Sequence, residues 1–175
     1  KTTLINIILG IVNYNEGEII INNQYKVEET NFDKLTSYTP QDLFLINASI
    51  EENIALGIEK YAINKNKMKD AIKKSGLERF INKLPEKSQT KINSNILNIS
   101  GGQAQRIAIA RNFYYEKKIN IFDEFTSALD EENEDKILKY LKKSKNTIII
   151  VSHKNSSLKY CNKIYKMKDG KLLRV

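Results

Sequence analysis

The sequence has one cysteine, one histidine, no internal repeat and no low-complexity linker. A single thiol, Cys161, excludes an intrachain disulfide and is compatible with a reducing compartment. Such a residue can act as a redox thiol, but its commoner use is as a small apolar filler. No apolar run approaches the ~20 residues that a membrane-crossing helix needs. No signal peptide is visible, and Lys1 rather than Met stands first, so the chain reads as cut at its N-terminus. Aromatic residues are not interleaved with the lysines, which argues against a stacking platform for nucleic acid despite a formal net charge of +8. That charge would equally suit an anionic membrane surface or a phosphate-rich ligand. What remains is 175 residues with 41% hydrophobic and 29% charged content, enough for one globular domain with a sizeable core.

The most informative stretch is Ile99-Ser100-Gly101-Gly102-Gln103, which runs into Ala104-Gln105-Arg106-Ile107-Ala108-Ile109-Ala110-Arg111. Apolar residues at helical spacing follow a serine, so Ser100 is a candidate N-cap. The two glycines leave backbone N–H groups uncovered at the positive end of the helix dipole, where an anion such as phosphate binds well. An ordinary capped helix would look the same over Ser-Gly-Gly alone. The full string closely resembles the signature motif of ABC-type ATPases, the nucleotide-binding domains of ABC transporters, with Ile99 in place of the usual Leu. The resemblance implies a dimer, in which Ser100, Gly101, Gly102 and Gln103 of one subunit meet the γ-phosphate of ATP held by the other.

Other segments fall in the same family order. Lys1-Thr2-Thr3 precedes an apolar stretch, Leu4 to Leu9, that reads as a largely buried helix closing near Gly10. Lys-Thr at the mouth of a buried helix is how the pattern G-x-x-x-x-G-K-[ST] ends. By resemblance this is the remainder of a Walker A motif: Lys1 pairs with the β- and γ-phosphates, Thr2 ligates Mg²⁺ and Thr3 approaches the α-phosphate. Gln41 matches the Q-loop glutamine, whose neutral amide reaches Mg²⁺ and moves away cheaply. Phe44 to Ile54 resembles the exporter branch, where this surface receives the coupling helices of a membrane domain. Ser49 also forms a capping-box pattern with Glu52, and both readings stand.

Ile119 to Phe122 is a mostly apolar strand that ends in Asp123-Glu124. Ligands of open α/β sheets sit at such strand ends. The resemblance makes Asp123 the Walker B carboxylate that holds Mg²⁺ and Glu124 the general base for the attacking water. Ser127-Ala128-Leu129-Asp130 is similar to the D-loop, with Asp130 also a candidate N-cap. Thr147 to Val151 reads as a central parallel strand. His153, just beyond it, matches the switch histidine that contacts the γ-phosphate. Further strands are expected at Glu18–Ile21, Leu35–Thr39 and Cys161–Met167, with turns at Asn22-Asn23 and Asp169-Gly170.

The expected fold is α/β, a P-loop NTPase (RecA-like) with a mostly parallel core sheet and an ABC-type helical subdomain. Residues 1–42 and 117–175 would form the core, and 43–116 the helical part with the signature helix. The expected function is ATP binding and hydrolysis for an ABC exporter at the cytoplasmic face of the membrane. ATP and Mg²⁺ would be the cofactors, and a transmembrane domain and a second ATPase domain, identical or not, the partners. A soluble ABC-type ATPase acting on nucleic acid or ribosomes is the alternative. Three departures from the pattern stand out. The exporter Gly-Glu pair before the signature is replaced around Asn93, Ser94 and Ile96, the usual Ala is Phe125, and Asn120 interrupts an apolar strand. The glycine-rich loop and the adenine-stacking aromatic residue of the family are not in the chain, so weak ATP binding is expected of it in isolation.

Overall fold

The computed structural model describes residues 1–21, 23, 25–26, 32–93 and 99–175. Asn22, Ser94 and Ile96 lie outside them, so neither the full Asn22-Asn23 turn nor the missing Gly-Glu pair is addressed.

Three strands form the sheet that organises the chain: β3 (Thr36–Thr39), β4 (Ile119–Asp123) and β5 (Thr147–Val151). They run parallel in the order β3-β4-β5. Thr39 pairs with Phe122, and Phe122 with Ile150, so the three C-terminal ends stand side by side. The residues that leave those ends are Pro40-Gln41, Glu124 and Ser152-His153. Register alone thus gathers three distant pieces of sequence at one edge. Thr147–Val151 is a parallel strand as expected but not a central one: its only pairing among the described residues is with β4. Its side chains are correspondingly half-buried or exposed. Two short antiparallel pairs flank the sheet. One joins β1 (Ile20–Ile21) to β2 (Tyr25–Lys26), and the other joins β6 (Tyr165–Lys168) to β7 (Lys171–Arg174). The expected strand from Cys161 begins only at Tyr165, while the turn at Asp169-Gly170 has positive φ at both residues, as a two-residue hairpin loop requires.

Helix α1 (Thr2–Ile8) occupies the expected stretch but is not largely buried: Ile5 alone is, and Ile11 beyond it is 66% exposed. The helix has only seven residues, and Leu4, Asn6, Ile7 and Ile8 are only half-buried. A short α2 (Phe32–Leu35) leads directly into β3. Then come α3 (Ile50–Ile54), α4 (Lys65–Lys74) and α5 (Glu78–Asn82). Local chemistry sets their starts. Ser49 and Glu52 close a reciprocal capping box on α3, and the Asn64 side chain accepts from the N–H groups of Asn66 and Lys67 at α4. No described helix is long and apolar enough to cross a membrane.

Helix α6 (Gly101–Tyr115) is the hub. On one side Ile107, Ala110 and Tyr114 join Ile50, Ile54, Met68, Ala71, Leu77 and Ile81 in a first apolar cluster. On the other, Ile109 joins Phe122, Phe125, Leu129, Ile137, Leu138 and Leu141 in a second, which includes residues of α7 (Glu131–Lys143). Apolar residues on both sides explain why α6 has no single hydrophobic stripe. Phe125 is explained here, because it is fully buried with its ring centroid 4.8 Å from that of Phe122. So is Asn120: its amide accepts from Ser37 Oγ at 2.8 Å and donates to the Lys117 carbonyl at 2.8 Å. Ser37 Oγ shares its one proton between the amide oxygens of Asn120 and of Asn112 in α6, and Asn112 in turn donates to Thr39 Oγ1. The strand asparagine belongs to a satisfied polar bridge between sheet and hub helix.

Candidate functional site

At the sheet edge, four of the candidate residues, Lys1, Gln41, Glu124 and His153, form one connected group. Glu124 follows β4 in the left-handed region, at φ +49°, a conformation that costs a non-glycine residue energy and recurs at functional sites. Its backbone N–H donates to the Val151 carbonyl at 2.9 Å, which continues the β4–β5 ladder one residue past the strand. The side chain turns back over the strand ends. Its Oε2 accepts from Gln41 Nε2 at 3.2 Å, and its Oε1 lies 3.2 Å from His153 Nε2. The same His153 Nε2 is 3.0 Å from Lys1 Nζ. A ring nitrogen between an ammonium and a carboxylate cannot serve both with one proton. The Nδ1–H tautomer accepts from Lys1, whereas a protonated Nε2 donates to Glu124.

Asp123 is the buried member, 3% exposed at the end of β4. Thr2 Oγ1 donates to its Oδ2 at 3.4 Å. Tyr38 of β3 lies near Asp123, and burial, then this carboxylate, raises the Tyr38 phenol above its usual pKa. Thr3, one residue on, is exposed and joins none of these contacts.

The second set of candidates lies at the start of α6. Ser100 is the N-cap: its Oγ accepts from the Gln103 N–H at 3.3 Å, while Gln103 Oε1 accepts from the Ser100 N–H at 2.9 Å. Gln103 therefore closes a capping box. Gly102 is required by proximity, since a Cβ there would stand 2.7 Å from the Ala128 carbonyl oxygen. Gly101 has ordinary room, its nearest neighbour being Ala128 Cβ at 3.7 Å. Asp130 caps α7: its Oδ1 accepts from the Asn133 N–H at 2.9 Å, and this bond holds the carboxyl below its ordinary pKa. Among the described residues, no hydrogen bond or ion pair joins Ser100, Gly101, Gly102, Gln103 or Asp130 to the group around Glu124.

Three residues that the sequence did not single out support the site. Gln105, buried on α6, donates through Nε2 to the Glu124 carbonyl at 3.4 Å and to Ser127 Oγ at 3.3 Å. Its Oε1 accepts from the Ala128 N–H at 2.8 Å. Tyr38 stands near Asp123 and feels its charge. Lys154 Nζ donates to the Thr126 carbonyl at 2.7 Å and to Glu134 at 3.1 Å. None belongs to a local pattern, and only the position of Gln105 within the quoted motif helix offered a hint. Further along α6, Arg111 donates to the carbonyls of Asn53 and Phe44, at 3.0 and 3.3 Å, and so ties this helix to the segment that presents Phe44, 64% exposed. Burial lowers the Arg111 pKa from its ordinary value.

A family model described as ABC transporter matches residues 1–127. The chain belongs to the ABC transporter family. Relatives in this family include an ATP-dependent lipid A-core flippase of Francisella tularensis, 35% identical over 178 residues, covering 99% of the chain and 29% of the flippase. A multidrug resistance protein of Caenorhabditis elegans is 36% identical over 180 residues, covering 100% of the chain and 13% of that protein. Among solved structures, a bacterial Atm1-family ABC exporter with ATP bound superposes with a TM-score of 0.89 at 30% identity, covering 99% of the chain and 31% of that exporter. The chain thus spans about 30% of the length of the bacterial relatives. Its α/β fold is that of the ABC nucleotide-binding domain, and membership implies nucleotide binding.

Proposed function

We propose that this chain is the ATP-binding and ATP-hydrolysing domain of an ABC exporter. The observation that carries the reading is the convergence of Lys1, Gln41, Glu124 and His153 at the strand ends, beside the buried Asp123 and Thr2. Glu124, held by Gln41 on one oxygen and facing His153 with the other, is the general base. It takes the proton of a water whose oxygen attacks the γ-phosphorus as the bond to the β–γ bridging oxygen breaks and ADP leaves. Lys1 supplies positive charge to the β- and γ-phosphates, His153 contacts the γ-phosphate and Thr3 the α-phosphate.

The donor set suits Mg²⁺. Thr2, Asp123 and Gln41 offer hard oxygens, and no group of three or more His, Cys, Asp or Glu side chains among the described residues forms a ready-made metal cage. Mg²⁺ in phosphoryl-transfer sites is held by one or two protein oxygens together with the substrate phosphates. When bound, it neutralises phosphate charge and orients the reacting oxygens. Asp123 and Thr2 would hold it, and Gln41 would reach it through its amide.

Ser100, Gly101, Gly102, Gln103 and Asp130 complete the site from a second ATPase domain. Their separation from the Glu124 group within one chain supports this division of labour. The transmembrane partner docks on the surface around Phe44 to Ile54, and the domain works at the cytoplasmic face. Residues 43–116 act as the helical part and residues 1–42 with 117–175 as the core, a division supported by the two apolar clusters on either side of α6. The soluble alternative on nucleic acid or ribosomes finds no support, since the relatives named above are an exporter, a flippase and a multidrug resistance protein. The test is Glu124→Gln in the full-length protein. ATP turnover falls by orders of magnitude and an ATP-bound dimer accumulates; unchanged turnover would remove the general-base assignment.

A further inference from the structure

Glu134 is a carboxylate that the hydrolytic reading leaves unused, yet it is 4% exposed in the first turn of α7. Burial of a charge is costly unless it is paired and hydrogen-bonded. Here both conditions are met. Lys154 Nζ donates to its Oε2 at 3.1 Å, and Ser156 Oγ and Ser157 Oγ donate to its Oε1 at 2.7 and 3.5 Å. The position near the start of a helix also favours negative charge. The same Lys154 ammonium donates to the Thr126 carbonyl at 2.7 Å.

That carbonyl belongs to the tight turn which follows the base. The Ser127 N–H returns to the Glu124 carbonyl at 3.2 Å, and the Leu129 N–H to the Thr126 carbonyl at 3.2 Å. On the other side, Lys154 follows His153 directly and caps α8 (Asn155–Leu158), with its own N–H bonded to Ser152 Oγ at 2.9 Å. One ammonium thus joins three pieces of chain: the turn after Glu124, the first turn of α7 and the loop that carries His153.

We propose that Lys154 is a positioning residue which, anchored on buried Glu134, fixes His153 relative to Glu124 by tying their two loops together at Thr126. This rests on the reading of Glu124 and His153 as the hydrolytic site. Lys154 Nζ is engaged by the Thr126 carbonyl and Glu134, not by Glu124 or His153. Its action is to set a separation, and misplacement of catalytic groups by about 1 Å costs on the order of 100-fold.

The test uses the full-length protein reconstituted in lipid vesicles, with ATPase kinetics and thermal melting of each variant. Lys154→Met lowers kcat about 10- to 100-fold and leaves KM for ATP within about twofold. Lys154→Arg, which keeps the charge and can reach both acceptors, retains at least about half of the turnover. Lys154→Met alone leaves Glu134 buried without its counter-ion, so its folding can suffer. The double variant Glu134→Gln/Lys154→Met removes that charge and recovers the melting temperature, but its turnover stays low because the tether is absent. If the single variant fails to fold, the double variant carries the test. Turnover of Lys154→Met within twofold of the parent, or turnover of the double variant that recovers together with its melting temperature, overturns the proposal. Glu124→Gln, run alongside, separates the two levels. If it abolishes turnover while Lys154→Met does not, only the tether is wrong; if it changes nothing, the hydrolytic reading falls and this proposal with it.

Discussion

Glu124 Oε1 and His153 Nε2 stand 3.2 Å apart on the ends of neighbouring strands, and each is held from a further direction, Glu124 by Gln41 and His153 by Lys1. The pairing of Asp123 with Val151 brings the two to one edge of the sheet, because both residues leave it within two positions of that pair.

His153→Ala removes the partner of both Lys1 and Glu124 without touching a core position. Turnover is expected to fall about 100-fold, as when a single donor aimed at developing charge is deleted. Equilibrium nucleotide binding should change far less. Parallel loss of binding and turnover in ATP titrations would contradict this split.

Gly102 and Gly101 are expected to differ sharply although adjacent. Gly102→Ala drives a methyl to 2.7 Å from a backbone carbonyl, which cannot rotate away. A loss of about 1–3 kcal/mol in urea unfolding is expected, together with lower turnover. Gly101→Ala meets only Ala128 Cβ at van der Waals distance and should leave stability unchanged or slightly raised. Equal effects of the two would mean that the α6–Ala128 approach is not as close as described.

Ser49 holds the Glu52 carboxyl below its ordinary pKa through its side-chain hydroxyl first and its backbone N–H second. A carboxyl with a lowered folded pKa stabilises above its unfolded pKa, and that contribution is lost as pH falls through the folded value. Ser49→Ala should cost about 1 kcal/mol near neutral pH. The gap between parent and variant should then narrow on acidification below the ordinary carboxylate range. Urea unfolding at neutral and acid pH checks this, and a gap that stays constant or widens would count against the capping box.

Gln105→Leu keeps the volume of a buried side chain but drops its bonds to Glu124, Ser127 and Ala128. Each net hydrogen bond contributes about 0.5–1.5 kcal/mol, so the three together give an expected loss of about 1.5–4.5 kcal/mol. Because those bonds hold the turn that carries Glu124, kcat should fall several-fold with little change in KM. A variant with lower stability and unaltered kcat would limit Gln105 to a structural part.

The features readable from the sequence are those whose physics is local. Ser100, Ser49 and Asp130 cap helices through partners three residues away, and Asp169-Gly170 turns a hairpin through its own backbone angles. The features that were not readable depend on distant partners. Asn120 looked like a flaw in a strand because Ser37, which satisfies it, is supplied by another strand. Phe125 has its reason in the ring of Phe122 beside it, a partner the local sequence does not reveal. Glu134 and Lys154 look like any solvated charges in a helix and a loop, and only the fold shows that one is buried and the other spans two loops. The central place expected for Thr147–Val151 rested on its β-branched run, but such a run reports burial and strand propensity, not position in the sheet.

Helix α6, whose two sides belong to different apolar clusters, also governs how the chain comes apart. Neither cluster can lose its part of this helix without exposing the other, so melting either one weakens both. The line between the two apolar clusters is therefore not a boundary in cooperativity. Heating should produce one transition rather than two, and partial unfolding should begin away from α6, at α1 and the β6–β7 hairpin, where few side chains are buried.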